Sequence, residues 1–329
     1  MKTNKINLQL FATVQTTLLE GLSAEMKTFY DMTLIDEATS NLVHDQFGQK
    51  RPIPANGGKT IEFRKFAPLA KATTPLTEGV TPDGKSLAVS TITASVNQYG
   101  DFITQSDVLE LTSLDNTILE ATKLLGRQAG VTLDTVVRDV LNSGTNVTYC
   151  PKVVDGVETA VTSRGDLDTT CELTVKTIQK VVAKLRGQNA PTIGGKYVAI
   201  IHPYVAYGLM RDKEWIEAHK YTNPTNLYEG EIGEIAGVRF VQTTEAKVFD
   251  GGVFSTLFLG EGAYGVTEIT GGGLQTIVKQ KGSAGTADPL DQRSSVGWKA
   301  IKTAEILIPN YLVRVESKSA EFSATTAAN

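Results

Sequence analysis

KTIEFRKF (Lys59 to Phe66), LTEGVTPDGK (Leu76 to Lys85) and SLAVSTITASVNQYGDFITQSD (Ser86 to Asp107) decide the fold. Read in order, they are an outgoing β-arm, a turn-rich tip and a long returning arm. Asn56-Gly57-Gly58 stands at the base, and Pro75, Gly79, Pro82 and Gly84 punctuate the tip, so turns are expected there and not a regular two-residue loop. Such a hairpin has little to bury within its own subunit. An isolated two-stranded ribbon is at best marginally stable in water, so its ordering must draw on a surface outside itself. That points to assembly before catalysis.

Outward from the hairpin, the flanking segments read as helices. Upstream, Leu22, Met26, Phe29, Tyr30, Leu34, Ile35, Ala38, Leu42 and Val43 recur at helical spacing between Leu18 and Phe47, closed by Gly48, Pro52 and Pro54. Downstream, Thr117 and Glu120 read as a capping box. Ile118, Leu125, Leu133, Val136, Val137, Val140 and Leu141 follow on one face, and Asn142-Ser143-Gly144 stops the helix. At 1.5 Å per residue the helix is on the order of 38 Å long. Gly126 and Gly130 inside it each cost roughly 1 kcal/mol against alanine, which close packing of a neighbour there would offset.

From Gly165 the pattern becomes compact α/β. Thr169 and Glu172 cap a helix through Leu173, Ile178, Val181, Val182 and Leu185, ended by Gly187. A strand KYVAII (Lys196 to Ile201) follows. His202-Pro203 then opens a helix through Tyr207, Met210 and Trp215. GVRFVQT (Gly237 to Thr243), VFSTLFL (Val253 to Leu259), LQTIVKQ (Leu274 to Gln280) and AEILIPNYLVRVES (Ala304 to Ser317) read as β, and the small, polar tail from Ala320 as frayed. The class is α+β, without a solenoid-period repeat.

Composition narrows the function. The 329 residues are 41% hydrophobic and 21% charged with a net charge of −4, an ordinary globular balance for about two packed units. The basic excess of a dedicated nucleic-acid binder is absent. Cys150 and Cys171 form neither a metal pattern nor a disulfide framework and read as reduced thiols. No apolar run reaches the roughly 18 residues of a membrane helix. MKTNKINLQLFA is broken by Asn7 and Gln9, so it reads as a non-exported N-terminal arm rather than a signal peptide.

The catalytic inventory is thin. Gly260-Glu261-Gly262-Ala263-Tyr264-Gly265 matches G-x-G-x-x-G, but Val266 to Ile269 and Gly271-Gly272-Gly273 follow where a dinucleotide site needs a helix. Gly57-Gly58-Lys59-Thr60 ends like a P-loop, yet position 53 is Ile53 and a strand comes next. His44, His202 and His219 show no metal-type clustering, and His202 reads as a helix-entry residue. Asp288 and Asp291 near Arg293 read as solvated or ion-paired. Asn146-Val147-Thr148 fits a glycosylation sequon without any sign of secretion. No catalytic residue, cofactor or metal is assigned.

DPLDQR (Asp288 to Arg293) followed by VGWKA (Val296 to Ala300) closely resembles a stretch of the N4-like family of tailed-bacteriophage major capsid proteins, which have the Hong Kong 97-type fold. In the same order come LQLFA (Leu8 to Ala12), VHDQFGQK (Val43 to Lys50), PLTEGVTPDG (Pro75 to Gly84), QYGDF (Gln98 to Phe102), GEIAGVRFVQT (Gly233 to Thr243) and LFLGEGAYGV (Leu257 to Val266). The resemblance spans essentially the whole chain.

It implies an N-terminal arm over residues 1–55 and an extended hairpin loop over 56–105. A peripheral domain with a long spine helix takes 106–164 and 300–329, and an axial α/β domain takes 165–299. It also implies a shell of hexamers and pentamers around double-stranded DNA, touched on the inner face without sequence specificity. A portal and, since only a short arm precedes the first helix, a separate scaffolding protein are the expected partners; no membrane is. Leu76, Thr77, Glu78 and Val80 are the expected intersubunit contacts at the hairpin. Some family members crosslink through lysine–asparagine bonds, but Lys71 and Lys85 match no crosslinking motif. A nanocompartment shell of the same fold, or a soluble enzyme using the Gly260 loop, are the alternatives.

Overall fold

The computed structural model describes residues 32–38, 42–54, 56–66, 69, 71–76, 78–81, 83–87, 89–113, 117–219, 233–283 and 288–329. The expected helical positions Leu22, Met26, Phe29 and Tyr30 lie outside them. The chain divides into two compact units. One comprises Met1–Asn41, Tyr99–Gly130 and Leu274–Ala300, the other Leu42–Gln98, Val131–Gly273 and Ile301–Asn329.

The larger unit is built on a mixed sheet ordered Val147–Tyr149, Leu312–Ser317, Val253–Leu259, Tyr197–Ile201, Val238–Gln242, Glu234–Ile235, with Val248–Phe249 also paired to Val253–Leu259. Its three central strands are buried on both faces, which is why Tyr197–Ile201 reads as a continuous apolar run rather than an alternating one. The period of two is still there in what each side chain meets. Ala199, Ile201, Phe254, Phe258, Val313 and Val315 face the helix Val175–Gly187 through Ile178, Val181, Val182 and Leu185. Ile200, Leu257, Leu259 and Leu312 face the other way, onto Val137 and Leu141 of the long helix Thr117–Asn142. The result is a helix–sheet–helix sandwich.

In the smaller unit, the helical residues 32–38 cross the long helix at its two glycines. A Cβ on Gly126 would stand 2.8 Å from the Leu34 carbonyl oxygen, and one on Gly130 2.4 Å from that of Ala38. Leu34, Ala38 and Ala129 are fully buried, and Arg127 Nε donates to Glu37 Oε2 at 2.9 Å. Close backbone packing therefore offsets the glycines' helical cost, as the sequence suggests. The strand Asn97–Ser106 and the strand Gln275–Lys279 both pair with the long strand Arg293–Ile306, where Gly297 and Phe102 touch.

Several expected boundaries move. The helix at 32–38 does not run on to Phe47, because residues 44–47 form a turn in which Gln46 N donates to Val43 O. Thr117 is the first helical residue rather than a cap, and its hydroxyl donates to Gln105 Oε1 at 3.0 Å. A separate helix, Asp107–Thr112, precedes it, capped by Ser106. Thr174, not Thr169, caps the helix Val175–Gly187. Trp215 sits in its own helix, Lys213–His219. The segment Val296 to Ala300 is part of a strand that continues to Ile306; Pro309–Tyr311 then separates it from Leu312–Ser317. The tail is tied down, not frayed. Phe322 stacks on Tyr204 at 4.3 Å, Ser323 Oγ donates to Gly252 O, and Asn329 accepts from Val248 N through Oδ1.

His202 caps the helix Pro203–Met210, its Nδ1 accepting from Tyr204 N at 3.2 Å, with Phe254 and Tyr204 rings against it. Burial lowers its pKa to about 4. The unfolded chain takes up the proton at a pKa of about 6.5. The cap's contribution is thus complete above that value and is lost as pH falls from there to about 4.

Two outcomes follow for thermal unfolding. Gly130→Ala lowers Tm despite alanine's roughly 1 kcal/mol helical advantage. Gly187→Ala, with nothing within 4 Å of the added carbon, leaves Tm unchanged or raises it. His202→Asn keeps a cap acceptor and flattens the fall in stability between about pH 6.5 and about pH 4.

Candidate functional site

The candidate site is the hairpin and the seat from which it leaves the larger unit. Thr60–Phe66 and Val89–Ser95 pair antiparallel from Thr60↔Ser95 to Phe66↔Val89, and Val96 N closes the base on Lys59 O at 3.0 Å. Alternation divides the ribbon. Ile61, Phe63, Ile92 and Ala94 point inward to Leu307 and Ile308, whereas Glu62, Arg64, Thr91 and Thr93 are exposed. Phe63 is the anchor, 3% exposed, with the Arg51 guanidinium carbon 5.9 Å above its ring. The expectation that the hairpin buries little in its own subunit is therefore corrected at the foot. It describes the tip, where Leu69, Leu76, Val80 and Leu87 are exposed, Leu76 to 77% and Val80 to 62%.

Of the expected contact residues, Leu76, Glu78 and Val80 all lie on this exposed tip, and Thr77 lies outside the described residues. What sequence reasoning missed is the seat. Asp134, on the long helix, is fully buried and accepts from Val43 N at 2.9 Å and His44 N at 2.7 Å through Oδ1. Its Oδ2 meets His44 Nδ1 at 2.7 Å. Tyr264 OH donates to His44 O, and burial pushes that phenol's pKa up. Next along the chain, Asp45 pairs with Lys302 at 3.1 Å and Lys50 at 3.4 Å. Gln49–Lys50 then joins the strand Tyr264–Glu268 in parallel, and Ile53 bridges to Ile269. These contacts carry the chain to the hairpin's foot. Apart from the Asp45–Lys50 pair, they join positions about ninety residues or more apart, so no local pattern announces them.

The remaining chemistry-like motifs have structural roles. Gly260 to Ala263 form a turn between the strands Val253–Leu259 and Tyr264–Glu268, the second of which contains Gly265, with Gly262 at φ +70°. Gly57 to Thr60 runs from a loop into Thr60–Phe66. Arg164, in the 3-10 turn Arg164–Asp166, is held by Glu316 through two bonds of 2.7 and 2.6 Å and lies 3.5 Å over the Phe249 ring. Glu316 is fully buried between Arg164 and Arg314. Asp288 accepts from Arg293 N at 2.8 Å and ion-pairs weakly with its side chain at 3.9 Å. Both cysteines are free and buried, and burial raises both thiol pKa values. Among the described residues no cluster of three His, Cys, Asp or Glu could hold a metal, and no helix is long and apolar enough to cross a membrane.

Truncating one partner of a buried hydrogen-bonded charge leaves the other groups unpaired, at a cost of about 3–5 kcal/mol. Asp134→Ala is expected to lose that much in denaturant unfolding, with Val43 N, His44 N and the imidazole all left without an acceptor.

The family model described as phage capsid protein matches residues 60–312. The chain is similar to one in the capsid structure of cyanophage P-SCSP1u, at 14% identity over 93% of each chain with a TM-score of 0.66. It is also similar to the capsid of cyanophage Pam1, at 12% identity over 97% of this chain and 100% of that one, TM-score 0.66. The capsid of Ralstonia phage GP4 matches at 13% identity over 84% and 88%, TM-score 0.62. No curated protein sequence matches. With most of its length covered by the family model and its fold shared with these shells, the chain belongs to the phage capsid protein family and has the Hong Kong 97-type fold.

Proposed function

We propose that this chain is a major capsid protein whose copies assemble, as hexamers and pentamers, into the icosahedral shell around the double-stranded DNA genome of a tailed bacteriophage. Within the family we place it in the N4-like group, on the ordered stretches from LQLFA to VGWKA. The observation that carries the reading is the hairpin tip. Leu69, Leu76, Val80 and Leu87 are exposed on an arm whose buried contacts, among the described residues, lie at its foot.

Magnitudes explain why the arm needs a shell. Fully burying one leucine or valine side chain stabilises by about 1.5–3 kcal/mol. Ordering the backbone of the tip costs about 1–2 kcal/mol per residue. A single tip on a single neighbour is therefore a weak contact by itself, and closed symmetric assembly makes many such contacts together. We assign Leu76, Thr77, Glu78 and Val80 to the intersubunit contact. Residues 1–55 act as the arm, 56–105 as the extended loop, 106–164 with 300–329 as the peripheral domain, and 165–299 as the axial domain. The partners are copies of itself, a portal, a separate scaffolding protein and packaged DNA touched on the inner face without sequence specificity. The site of action is the virion, after synthesis in the host cytoplasm.

Deleting Thr74 to Ser86 tests the reading. The shortened chain is expected to stay soluble and to unfold cooperatively, but to give no closed shells in electron micrographs where the full chain gives hollow particles. Normal particles from the deletion would remove the tip from assembly.

A further inference from the structure

Gly265 is a glycine without a backbone reason to be one. It lies within the strand Tyr264–Glu268, paired to Glu305 and Gln49, and it is absent from the positive-φ glycines. Any residue could adopt its conformation. Space is what forbids a side chain: an added Cβ would stand 2.7 and 2.8 Å from two atoms of the Phe63 ring and 3.4 Å from Leu307. The missing side chain is a notch, and the Phe63 ring fills it.

This notch lies where the hairpin leaves the body of the larger unit. Phe63 pairs with Ile92 in a small cluster whose other buried members are Ala94 and Leu307. The Arg51 guanidinium closes the outer side of the ring. Beyond Phe63 the described tip side chains are exposed. The ribbon is thus a lever held near one end by a small cluster, in which one aromatic ring fills a slot. Sliding that ring out of the slot tilts everything beyond it.

We propose that Phe63 in the Gly265 notch is the positioning contact that sets the direction in which the hairpin leaves the subunit, and so the geometry in which neighbouring copies meet. The second half of this statement rests on the shell reading; the first half concerns the subunit alone. Phe63 and Gly265 act as a matched pair. A larger residue at 265 requires a smaller one at 63, and the pair can be exchanged together.

The test compares Gly265→Ala, Phe63→Leu and the double variant by two readouts. The first is the distance between spin labels on Asp83→Cys in the tip and Glu217→Cys on the body, both exposed positions, in unassembled subunits. The native Cys150 and Cys171 are buried and stay unlabelled. At about 3.3 Å of rise per residue the arm is long enough that Gly265→Ala is expected to shift the distance by about 3 Å or more. The double variant is expected to return it to the parent value, a non-additive result for two residues in contact.

The second readout is the yield of parental-size shells without labels. Gly265→Ala is expected to reduce it by about tenfold and the double variant to restore it to within about twofold, a coupling that independent sites do not show. An unmoved distance in Gly265→Ala, or a double variant no better than the worse single, overturns the proposal. If Gly265→Ala is insoluble, recovery of a folded subunit with the parent distance in the double variant supports it, and failure of that recovery overturns it. A parent chain that never forms shells sinks the shell reading, while the label distances still decide the notch.

Discussion

Asp134 sits at the point from which the larger unit is organised. Its carboxylate is fully buried and accepts from two successive backbone amides while facing an imidazole. A charge taken out of water at that depth is tolerable only when its oxygens are met by donors held in place. Here the donors belong to Val43 and His44, at the start of the segment that leads to the hairpin. One and two turns further along the same helix, Val137 and Leu141 cover a face of the central sheet. The helix that completes the core thus also fixes where the hairpin's approach begins. Tyr264, donating to His44 O, joins that point to the strand carrying the notch.

From there, close approach is managed by removing side chains. A Cβ on Gly48 would stand 2.5 Å from the Tyr264 ring; at Gly265 the obstacle is Phe63, and at Gly126 and Gly130 it is the backbone of 32–38. In each case an aromatic ring or a second backbone occupies the vacated volume, consistent with interiors packed to crystal-like density. Glycines that resemble a nucleotide fingerprint therefore serve packing, with Gly262 alone in that group requiring a left-handed turn.

The division between a fixed foot and a bare tip suits a protein that must be soluble before assembly and cohesive after it. A hairpin fully buried in its own subunit would have nothing to offer a neighbour. One with no anchor would present its apolar tip in every direction, at an entropic cost each contact would have to repay. Anchoring through Phe63 keeps the arm's origin defined while leaving Leu76 and Val80 available. The membership of the chain in a capsid family gives that arrangement its use.

By itself the sequence determined the elements whose cause is local. Apolar periodicity located the long helix, the helix ended by Gly187 and the strands Tyr197–Ile201 and Val253–Leu259, because their burial pattern repeats along the chain itself. Turn residues marked the hairpin's tip, His202-Pro203 marked a helix start, and the absence of a helix after Gly260 disposed of the cofactor motif. The ordered family stretches pointed to the fold and the function. Tertiary structure alone decided what depends on distant partners. Asp134 looks like any polar residue on a helix until Val43 and His44 arrive ninety positions away. Gly265 looks like part of a phosphate motif until the Phe63 ring enters its notch. The tail looks frayed until Phe322 meets Tyr204, and Thr117 looks like a cap until Gln105 takes its hydroxyl. A chain specifies such pairs only through the fold that brings them together, so no window of sequence contains them.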